Sequence, residues 1–127
     1  MKRKKILLVD DSNTILMMEK FILRNHSYEI VTASDGEEGV RKALEHSPDL
    51  VLLDVIMPKM GGFEACRRMR EEEATRTTPI IMVTTRGEAT NVELGWTAGC
   101  SDYITKPINS IELLAKVRNF LGDGVTS

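Results

Sequence analysis

The sequence has few cysteines and no long apolar run, and these two absences limit the class of protein. Its two cysteines, Cys66 and Cys100, lack the C-x-x-C spacing of a metal or redox site. Two thiols in a chain long enough to bury its own core are typical of a reduced, cytoplasmic protein rather than a secreted one. No segment approaches the roughly 20 apolar residues that a membrane-spanning helix requires. We therefore expect a cytoplasmic protein that makes no contact with a membrane.

The sequence also lacks an excess of positive charge, since its formal net charge is -2. Nucleic-acid affinity depends largely on basic residues that neutralise phosphates, so we expect no direct contact with nucleic acid. An apolar fraction of 42% and a charged fraction of 28% are ordinary for a globular protein. The length fits one domain over residues 1–122, and residues 123–127 are expected to form a flexible tail or the start of a linker.

Three short apolar runs indicate buried strands. Residues 6–9, 50–53 and 80–83 are apolar without interruption, as expected of parallel strands that are covered on both faces. Weaker strand patterns cover residues 29–33 and 102–105, and helical patterns cover residues 13–25, 36–46, 62–73, 88–98 and 108–121. Strands that alternate with helices predict an α/β protein whose parallel sheet is wound on both faces through right-handed crossovers.

The first predicted helix carries apolar residues at helical spacing. Ile15, Met18 and Ile22 recur at intervals of three and four residues, which places them on one side of a helix. We therefore expect this side to pack against the sheet.

The predicted strands end in residues that can carry chemistry. Asp10 and Asp11 follow the first strand, Asp54 the third, Thr84 the fourth and Lys106 the fifth. In an open parallel sheet the carboxyl ends of the strands border the ligand crevice, so these side chains should meet there. Three adjacent carboxylates repel one another unless a cation lies among them, and Mg²⁺ prefers oxygen ligands of this kind. With a hydroxyl and an ammonium group added, the set suits phosphoryl transfer to a carboxylate.

Each of these residues also has an ordinary structural interpretation. Asp10, Asp11 or Ser12 would cap the first predicted helix well. Asp54 alone would suit a turn, and Lys106 alone would be a surface lysine. Their joint position at one edge of the sheet favours the functional interpretation.

Four stretches of the sequence occur together in a characteristic order and spacing. They are ILLVDDS (6–12), DLVLLDVIMPKMGGFE (49–64), PIIMVTT (79–85) and GCSDYITKP (99–107). Together they resemble the response-regulator receiver family of two-component signalling, and the resemblance covers essentially the whole chain. It implies a doubly wound (βα)5 fold of the flavodoxin-like type, with five parallel strands in the order 2-1-3-4-5. It also implies a cis peptide bond before Pro107.

The resemblance implies a role for each residue at this edge. Asp54 is similar to the phosphoryl acceptor of the family, and Lys106 to the lysine that contacts a phosphoryl oxygen. Asp11, Asp54 and the backbone carbonyl of Ile56 are expected to bind Mg²⁺ directly, with Mn²⁺ as an alternative ion. Asp10 is expected to act mainly through a metal-bound water.

The resemblance also implies a conformational switch. Thr84 is similar to the hydroxyl residue that moves to bind the phosphoryl group, and Tyr103 to the aromatic residue whose ring then swings inward. The expected output face consists of the fourth predicted helix, the fifth strand and the fifth predicted helix. Trp96 and Tyr103 are candidate contacts for a partner on this face.

Members of the family take their phosphoryl group from a phosphohistidine and catalyse their own dephosphorylation. The resemblance therefore implies a signalling protein with intrinsic phosphoryl-transfer activity rather than a conventional enzyme. The expected partners are a sensor histidine kinase or phosphotransfer protein, and an output protein or effector domain. A phosphorylation-dependent dimer is a further expectation of the family pattern.

Two positions bear on the lifetime of the phosphorylated state. Ile56 lies two residues after Asp54, and Arg86 lies two residues after Thr84. Members of the family that turn over fast often carry amide or acidic side chains at these positions, where they orient an attacking water. Because Ile56 has no polar side-chain atom and Arg86 cannot act as a base, we expect slow self-dephosphorylation.

Three other functions fit parts of the pattern. A phosphatase or phosphotransferase with an Asp nucleophile typically has a second acid two residues further on, where this chain has Ile56. A flavodoxin-like electron carrier needs a first loop that accepts a phosphate, which Asp10 and Asp11 would repel. A degenerate receiver would act as an interaction module without phosphorylation, and the complete set of site residues argues against it.

Overall fold

Five parallel strands form one sheet in the spatial order β2-β1-β3-β4-β5. The computed structural model describes residues 3–24, 26–85, 94 and 96–122. The strands are β1 (Lys5–Val9), β2 (Glu29–Ala33), β3 (Leu50–Asp54), β4 (Ile80–Thr85) and β5 (Asp102–Lys106). The helices are α1 (Asn13–Leu23), α2 (Gly36–His46), α3 (Gly62–Glu71) and the C-terminal helix (Ser110–Leu121), with a short 3-10 helix at Glu73–Thr75. The predicted fold class and strand order are confirmed.

Some predicted features lie wholly or partly outside the described residues. Of the predicted helix at 88–98, Leu94 and residues 96–98 are described, and they are helical. Arg86 and the predicted tail at 123–127 are not among the described residues.

Alternate residues of the central strands pack on opposite faces of the sheet. In β1, Leu7 and Val9 join the apolar core formed with α2 and α3. Ile6 and Leu8 join a second core, formed with α1 and the C-terminal helix. Because both faces are covered, residues 6–9 of β1 are all buried and apolar, and this explains the uninterrupted runs in the sequence.

Both cysteines are core residues. Cys66 and Cys100 are free thiols, and both lie in the core formed with α2 and α3. Burial raises the pKa of the Cys66 thiol and raises that of Cys100 to about 11. Both therefore stay protonated at neutral pH and pack as small apolar side chains.

Helix α1 packs through a different face from the one predicted. Leu16, Glu19 and Leu23 are its buried residues, whereas Met18, which was expected to face the sheet, is 40% exposed. Ile22 lies at the margin of the core. The prediction was wrong because the charged residue between the two leucines interrupts the apolar stripe. The helix also ends at Leu23 rather than at residue 25.

Two other helix boundaries differ from the prediction. Helix α3 ends at Glu71 rather than at residue 73, and the separate 3-10 helix at Glu73–Thr75 follows it. The C-terminal helix begins at Ser110 rather than at residue 108. Its start is set by Asn109, whose side chain accepts a hydrogen bond from the backbone N–H of Glu112.

Ser12, rather than either neighbouring aspartate, caps α1. Its hydroxyl accepts a hydrogen bond from the backbone N–H of Ile15 at 3.3 Å. Its own backbone N–H donates to Oδ1 of Asp10 at 2.9 Å. Because Ser12 takes the capping position, the carboxylates of Asp10 and Asp11 are not needed at the helix end.

The start of α3 lies directly against the end of β3. A Cβ atom added at Gly62 would overlap the carbonyl oxygen of Asp54, so only glycine allows this approach. Gly61, the preceding residue, has more room, since its added Cβ would lie 3.2 Å from the carbonyl oxygen of Val55. The absence of a side chain at residue 62 therefore sets the distance between α3 and the end of β3.

Replacing Gly62 with alanine should destabilise the protein by about 2–3 kcal/mol, because the added methyl group overpacks this contact. The matched change Gly61→Ala should cost less than about 1 kcal/mol, because the backbone there needs only a small shift. Urea unfolding of both variants measures the difference. Equal losses of stability in the two variants would show that the contact at residue 62 is not a constraint.

Candidate functional site

Three carboxylates converge at the carboxyl edge of the sheet. Asp10 and Asp11 follow β1, and Asp54 is the last residue of β3. One carboxylate oxygen from each of the three lies within 4.8 Å of those from the other two. Asp10 and Asp54 are buried, whereas Asp11 is exposed. The structure thus brings together the acidic residues that the sequence placed at this edge.

Lys106, the last residue of β5, reaches across to the buried carboxylates. Its ammonium nitrogen lies 3.1 Å from Oδ1 of Asp54 and 3.5 Å from Oδ2 of Asp10. The peptide bond from Lys106 to Pro107 is cis, as the resemblance implied. Lys106 supplies one positive charge against three carboxylates, so the group of four keeps an excess of negative charge when all are ionised.

The pKa values of these groups reflect their burial and the excess of negative charge at the site. Burial raises the pKa of Asp54, and the negative charge of Asp10 raises it further, while Lys106 acts in the opposite direction. Burial also raises the pKa of Asp10. Burial by itself would lower the pKa of Lys106, but its contacts with Asp54 and Asp10 outweigh burial and raise it. The site therefore favours the binding of additional positive charge.

The donor set at this edge fits a magnesium ion. The three carboxylates are hard oxygen ligands, and the exposure of Asp11 leaves one side open to water. Mg²⁺ typically binds one or two protein carboxylates and keeps several waters. Ile56 follows Asp54 by two residues, and its side chain is 72% exposed. The expected role of its backbone carbonyl as a ligand stays a prediction.

Thr84 brings a buried hydroxyl to the same edge. The register pairs Asp54 of β3 with Val83 of β4, so Thr84 lies one residue beyond that pair. Its side chain is 2% exposed, and Oγ1 has no hydrogen-bond partner among the described residues. A buried hydroxyl without a partner is energetically costly. A ligand oxygen within reach of Oγ1 would supply such a partner.

Tyr103 lies on β5, on the far side of β4 from Asp54. Its ring is in edge-to-face contact with the ring of Trp96, with centroids 6.0 Å apart and an interplanar angle of 87°. The ammonium group of Lys116 lies 5.7 Å from the centroid of the Tyr103 ring. Lys116 is itself held by Asp102 at 2.9 Å. The two candidate partner-contact residues, Trp96 and Tyr103, are therefore direct neighbours.

Glu19 is a buried acid that the sequence analysis did not identify as part of the site. It lies on the core side of α1, and its side-chain oxygen Oε1 has no hydrogen-bond partner among the described residues. Burial and the negative charges of Asp10 and Asp54 raise the pKa of Glu19 to about 8, although Lys106 opposes the shift. Glu19 is thus mostly protonated at neutral pH and is electrostatically coupled to the acidic edge. The one sequence feature that could have indicated the burial of Glu19 was its position between Leu16 and Leu23, two leucines that lie seven residues apart and therefore on the same side of a helix.

Replacing Glu19 with glutamine should reduce the pH dependence of stability. Folding raises the pKa of Glu19 from 4.5 to about 8, so the folded protein keeps a proton that the unfolded chain loses. The contribution of this group is therefore most favourable below pH 4.5 and declines as the pH rises to about 8. Urea unfolding at about pH 5 and about pH 8 should show a smaller loss of stability for Glu19→Gln than for the wild type.

The control for this prediction is Glu64→Gln, on the exposed side of α3. It should follow the wild type at both pH values. If the loss of stability between the two pH values is the same in Glu19→Gln and the wild type, Glu19 does not carry the proton in the folded protein.

Comparison with known proteins identifies the family. Residues 6–118 match the response regulator receiver domain. The chain belongs to this family. Among the described residues of this receiver domain, no helix is both long and apolar enough to cross a membrane.

Relatives of this receiver domain differ in length. The alkaline phosphatase synthesis transcriptional regulatory protein PhoP of Bacillus subtilis is 41% identical over 118 residues, which are 93% of this chain and 48% of PhoP. Protein PilH of Pseudomonas aeruginosa is 36% identical over 117 residues, which are 92% of this chain and 97% of PilH. The chain thus spans about half the length of the transcriptional regulators it matches and nearly all of PilH.

A solved structure with the same fold carries a magnesium ion. It is the receiver domain of a sensor histidine kinase from Pseudomonas aeruginosa, with a magnesium ion coordinated in its active site cleft. It matches this receiver domain with a TM-score of 0.88 and 30% identity, over 95% of this chain and 99% of that chain. The fold that carries a magnesium ion in that protein is the fold found here.

Proposed function

We propose that this protein is a phosphoacceptor receiver of a two-component system, with Asp54 as the site of phosphorylation. The observation that carries the proposal is the surroundings of Asp54. Its carboxylate is buried, is paired with Lys106 at 3.1 Å and lies near two further carboxylates. The hydroxyl of Thr84, which has no hydrogen-bond partner among the described residues, lies at the same edge. We assign the receiver domain to residues 1–122.

Each residue of the site has a distinct part in the transfer. The carboxylate of Asp54 attacks the phosphorus atom of a phosphohistidine, so that an O–P bond forms while the P–N bond breaks and the imidazole leaves. Lys106 contacts a phosphoryl oxygen and balances its charge. Thr84 donates its hydroxyl hydrogen to another phosphoryl oxygen. These contacts position the group and offset its charge, which is what phosphoryl transfer requires of a protein.

The acidic residues would hold the metal. Asp11, Asp54 and the backbone carbonyl of Ile56 would bind Mg²⁺ directly, and Asp10 would act mainly through a metal-bound water. When bound, the ion would supply positive charge that offsets the negative charge of the phosphoryl oxygens. Mn²⁺ has the same charge and also accepts oxygen ligands, and we expect it to substitute.

Phosphorylation acts on a partner by changing the face of the protein that includes Tyr103. When Thr84 turns towards the phosphoryl group, the ring of Tyr103 moves inward and changes the face that also includes Trp96. The donor is a sensor histidine kinase or a phosphotransfer protein, in the cytoplasm. The partner that reads the new surface is an output protein, an effector domain or a second copy of the chain. Phosphorylation must therefore stabilise one of two conformations of this face.

Incubation with acetyl phosphate and Mg²⁺ should add one phosphoryl group, detected by intact-mass spectrometry. The adduct should be absent in Asp54→Asn and without the divalent ion. In Asp11→Asn it should require a higher Mg²⁺ concentration, because a metal ligand is weakened. The control Glu64→Gln should match the wild type. An adduct that persists in Asp54→Asn would contradict the assignment of the acceptor. If neither acetyl phosphate nor a phosphohistidine donor modifies the wild type, the chain is a degenerate receiver.

The phosphorylated state should last well beyond seconds, because the exposed side chain of Ile56 offers no group to orient a water. Replacing Ile56 with asparagine should shorten the lifetime by roughly tenfold or more, since a positioned polar group assists proton transfer from water. The decay of the adduct in intact-mass spectra, after removal of the donor, measures both. Ile111, which is similarly exposed, provides the matched control Ile111→Asn. A wild-type half-life of seconds would contradict this prediction.

A further inference from the structure

The connection between β2 and α2 lies between the two backbone segments that are expected to hold the metal. The backbone N–H of Asp10 donates to the carbonyl oxygen of Ala33, the last residue of β2, at 3.1 Å. The backbone N–H of Gly36, the first residue of α2, donates to the carbonyl oxygen of Met60 at 3.0 Å. Met60 belongs to the loop between β3 and α3. Residues 33–36, which we call the β2–α2 brace, thus contact both sides of the site while contributing none of its expected ligands.

The contact at Gly36 leaves no room for a side chain. A Cβ atom added there would overlap the carbonyl oxygen of Met60, and a backbone atom cannot rotate away as the end of a flexible side chain can. Gly39, one turn further along α2, differs, because its added Cβ would lie 3.0 Å from the side chain of Val9. Met60 is itself buried in the core formed with α2 and α3. The brace and the core therefore fix this point of the loop from two directions.

A charged contact joins the same two segments. Asp35 is the N-terminal cap of α2, and its Oδ1 accepts a hydrogen bond from the backbone N–H of Glu38 at 2.8 Å. Its Oδ2 lies 3.8 Å from Nζ of Lys59, in the loop. Lys59 has a φ of 66°, a left-handed conformation that a residue other than glycine keeps only where its surroundings hold it. Asp35 thus starts α2 with one oxygen and faces the loop with the other.

The other end of the loop is fixed by the sheet and by α3. The backbone N–H of Val55 donates to a carbonyl oxygen of β4 at 3.3 Å, and its carbonyl oxygen accepts from the N–H of Gly62 at 2.8 Å. Residues 56–59 therefore run between two fixed points, Val55 and Met60. Ile56, whose backbone carbonyl is an expected metal ligand, is the first of them. Because so short a segment has few conformations when both ends are fixed, a displacement at Met60 changes the path of the chain at Ile56.

We propose that the β2–α2 brace is a positioning element that holds the loop after β3 in place relative to the aspartates after β1, and so sets the affinity for Mg²⁺. The proposal rests on the proposed function, since it concerns the same metal site. Mg²⁺ demands ligands near ideal octahedral positions, so a small displacement of one ligand relative to the others lowers the affinity. Groups that orient the ligands without touching the ion therefore contribute to its binding.

The first test is the affinity for Mg²⁺ of Asp35→Asn, measured by titration calorimetry. Asparagine caps a helix about as well as aspartate, so the change removes mainly the attraction to Lys59. The affinity should fall about two- to fivefold, the range that corresponds to one partly exposed ion pair. The control Glu37→Gln removes the same charge from an exposed position in the first turn of α2 and should leave the affinity unchanged.

The second test displaces the loop directly. Gly36→Ala should weaken Mg²⁺ binding by about tenfold or more, as for other groups that orient metal ligands, because the added methyl group pushes against the carbonyl of Met60. The matched change Gly39→Ala, on the same helix, should keep the wild-type affinity. If Gly36→Ala does not fold, the comparison of Asp35→Asn with Glu37→Gln decides the question.

Two further measurements separate positioning from a general loss of structure. In the metal-free protein, the backbone amides of Gly36 and Gly62 should exchange hydrogen faster in Asp35→Asn than in Glu37→Gln, because the loop is held less firmly. At saturating Mg²⁺, Asp35→Asn should take up a phosphoryl group from acetyl phosphate to the same extent as the wild type, since it lacks no reacting group. A general loss of structure would lower that extent as well.

The outcomes distinguish this proposal from the proposed function. If intact-mass spectra show the phosphoryl adduct while Asp35→Asn and Gly36→Ala bind Mg²⁺ as the wild type does, the brace is overturned and the receiver function stands. Equal losses of affinity in Gly36→Ala and Gly39→Ala would overturn it as well, because the loss would then follow from α2 as a whole. If the wild type neither binds Mg²⁺ nor takes up a phosphoryl group, the proposed function fails and the role of the brace with it.

Discussion

Buried negative charge at the carboxyl edge of the sheet is the constraint on which the site depends. Asp10 and Asp54 are almost completely enclosed and lie close together. In this position neither is well solvated, and each disfavours the ionisation of the other. Lys106 offsets part of this cost through contacts with both. The remaining excess of negative charge favours the binding of a cation at this edge.

The local structure around this edge keeps the carboxylates available. Ser12 caps α1 and also donates its backbone N–H to one oxygen of Asp10. The helix thus begins two residues after Asp11 without using either aspartate as a cap. On the other side, Gly62 brings α3 close to the backbone of Asp54, which fixes the end of β3. The Ser12 cap and the close approach at Gly62 both restrict the backbone beside the acidic residues. The positions of Asp10 and Asp54 are therefore set by regular secondary structure.

The sheet and the site were predictable for the same reason. The central strands contain uninterrupted apolar runs, and each run is followed by a polar residue, so one pattern locates these strands and the edge where Asp10, Asp54 and Thr84 lie. The roles within that edge came from the resemblance to a family. Glu19 could not be predicted, because a charged residue in a helix is normally assigned to the solvent side. The contact between Trp96 and Tyr103 depends on ring orientation, which spacing along the chain does not determine.

The order of the strands also affects how the folded chain avoids self-association. The three most apolar runs lie at the centre of the sheet, and β2 and β5 form its two edges. Both edge strands are more polar, with Glu29 at the start of β2 and Asp102 at the start of β5. Charged side chains on an edge hinder the addition of a further strand from another molecule. The polarity that made these two strands the weakest in the sequence pattern thus protects the sheet from growing into an aggregate.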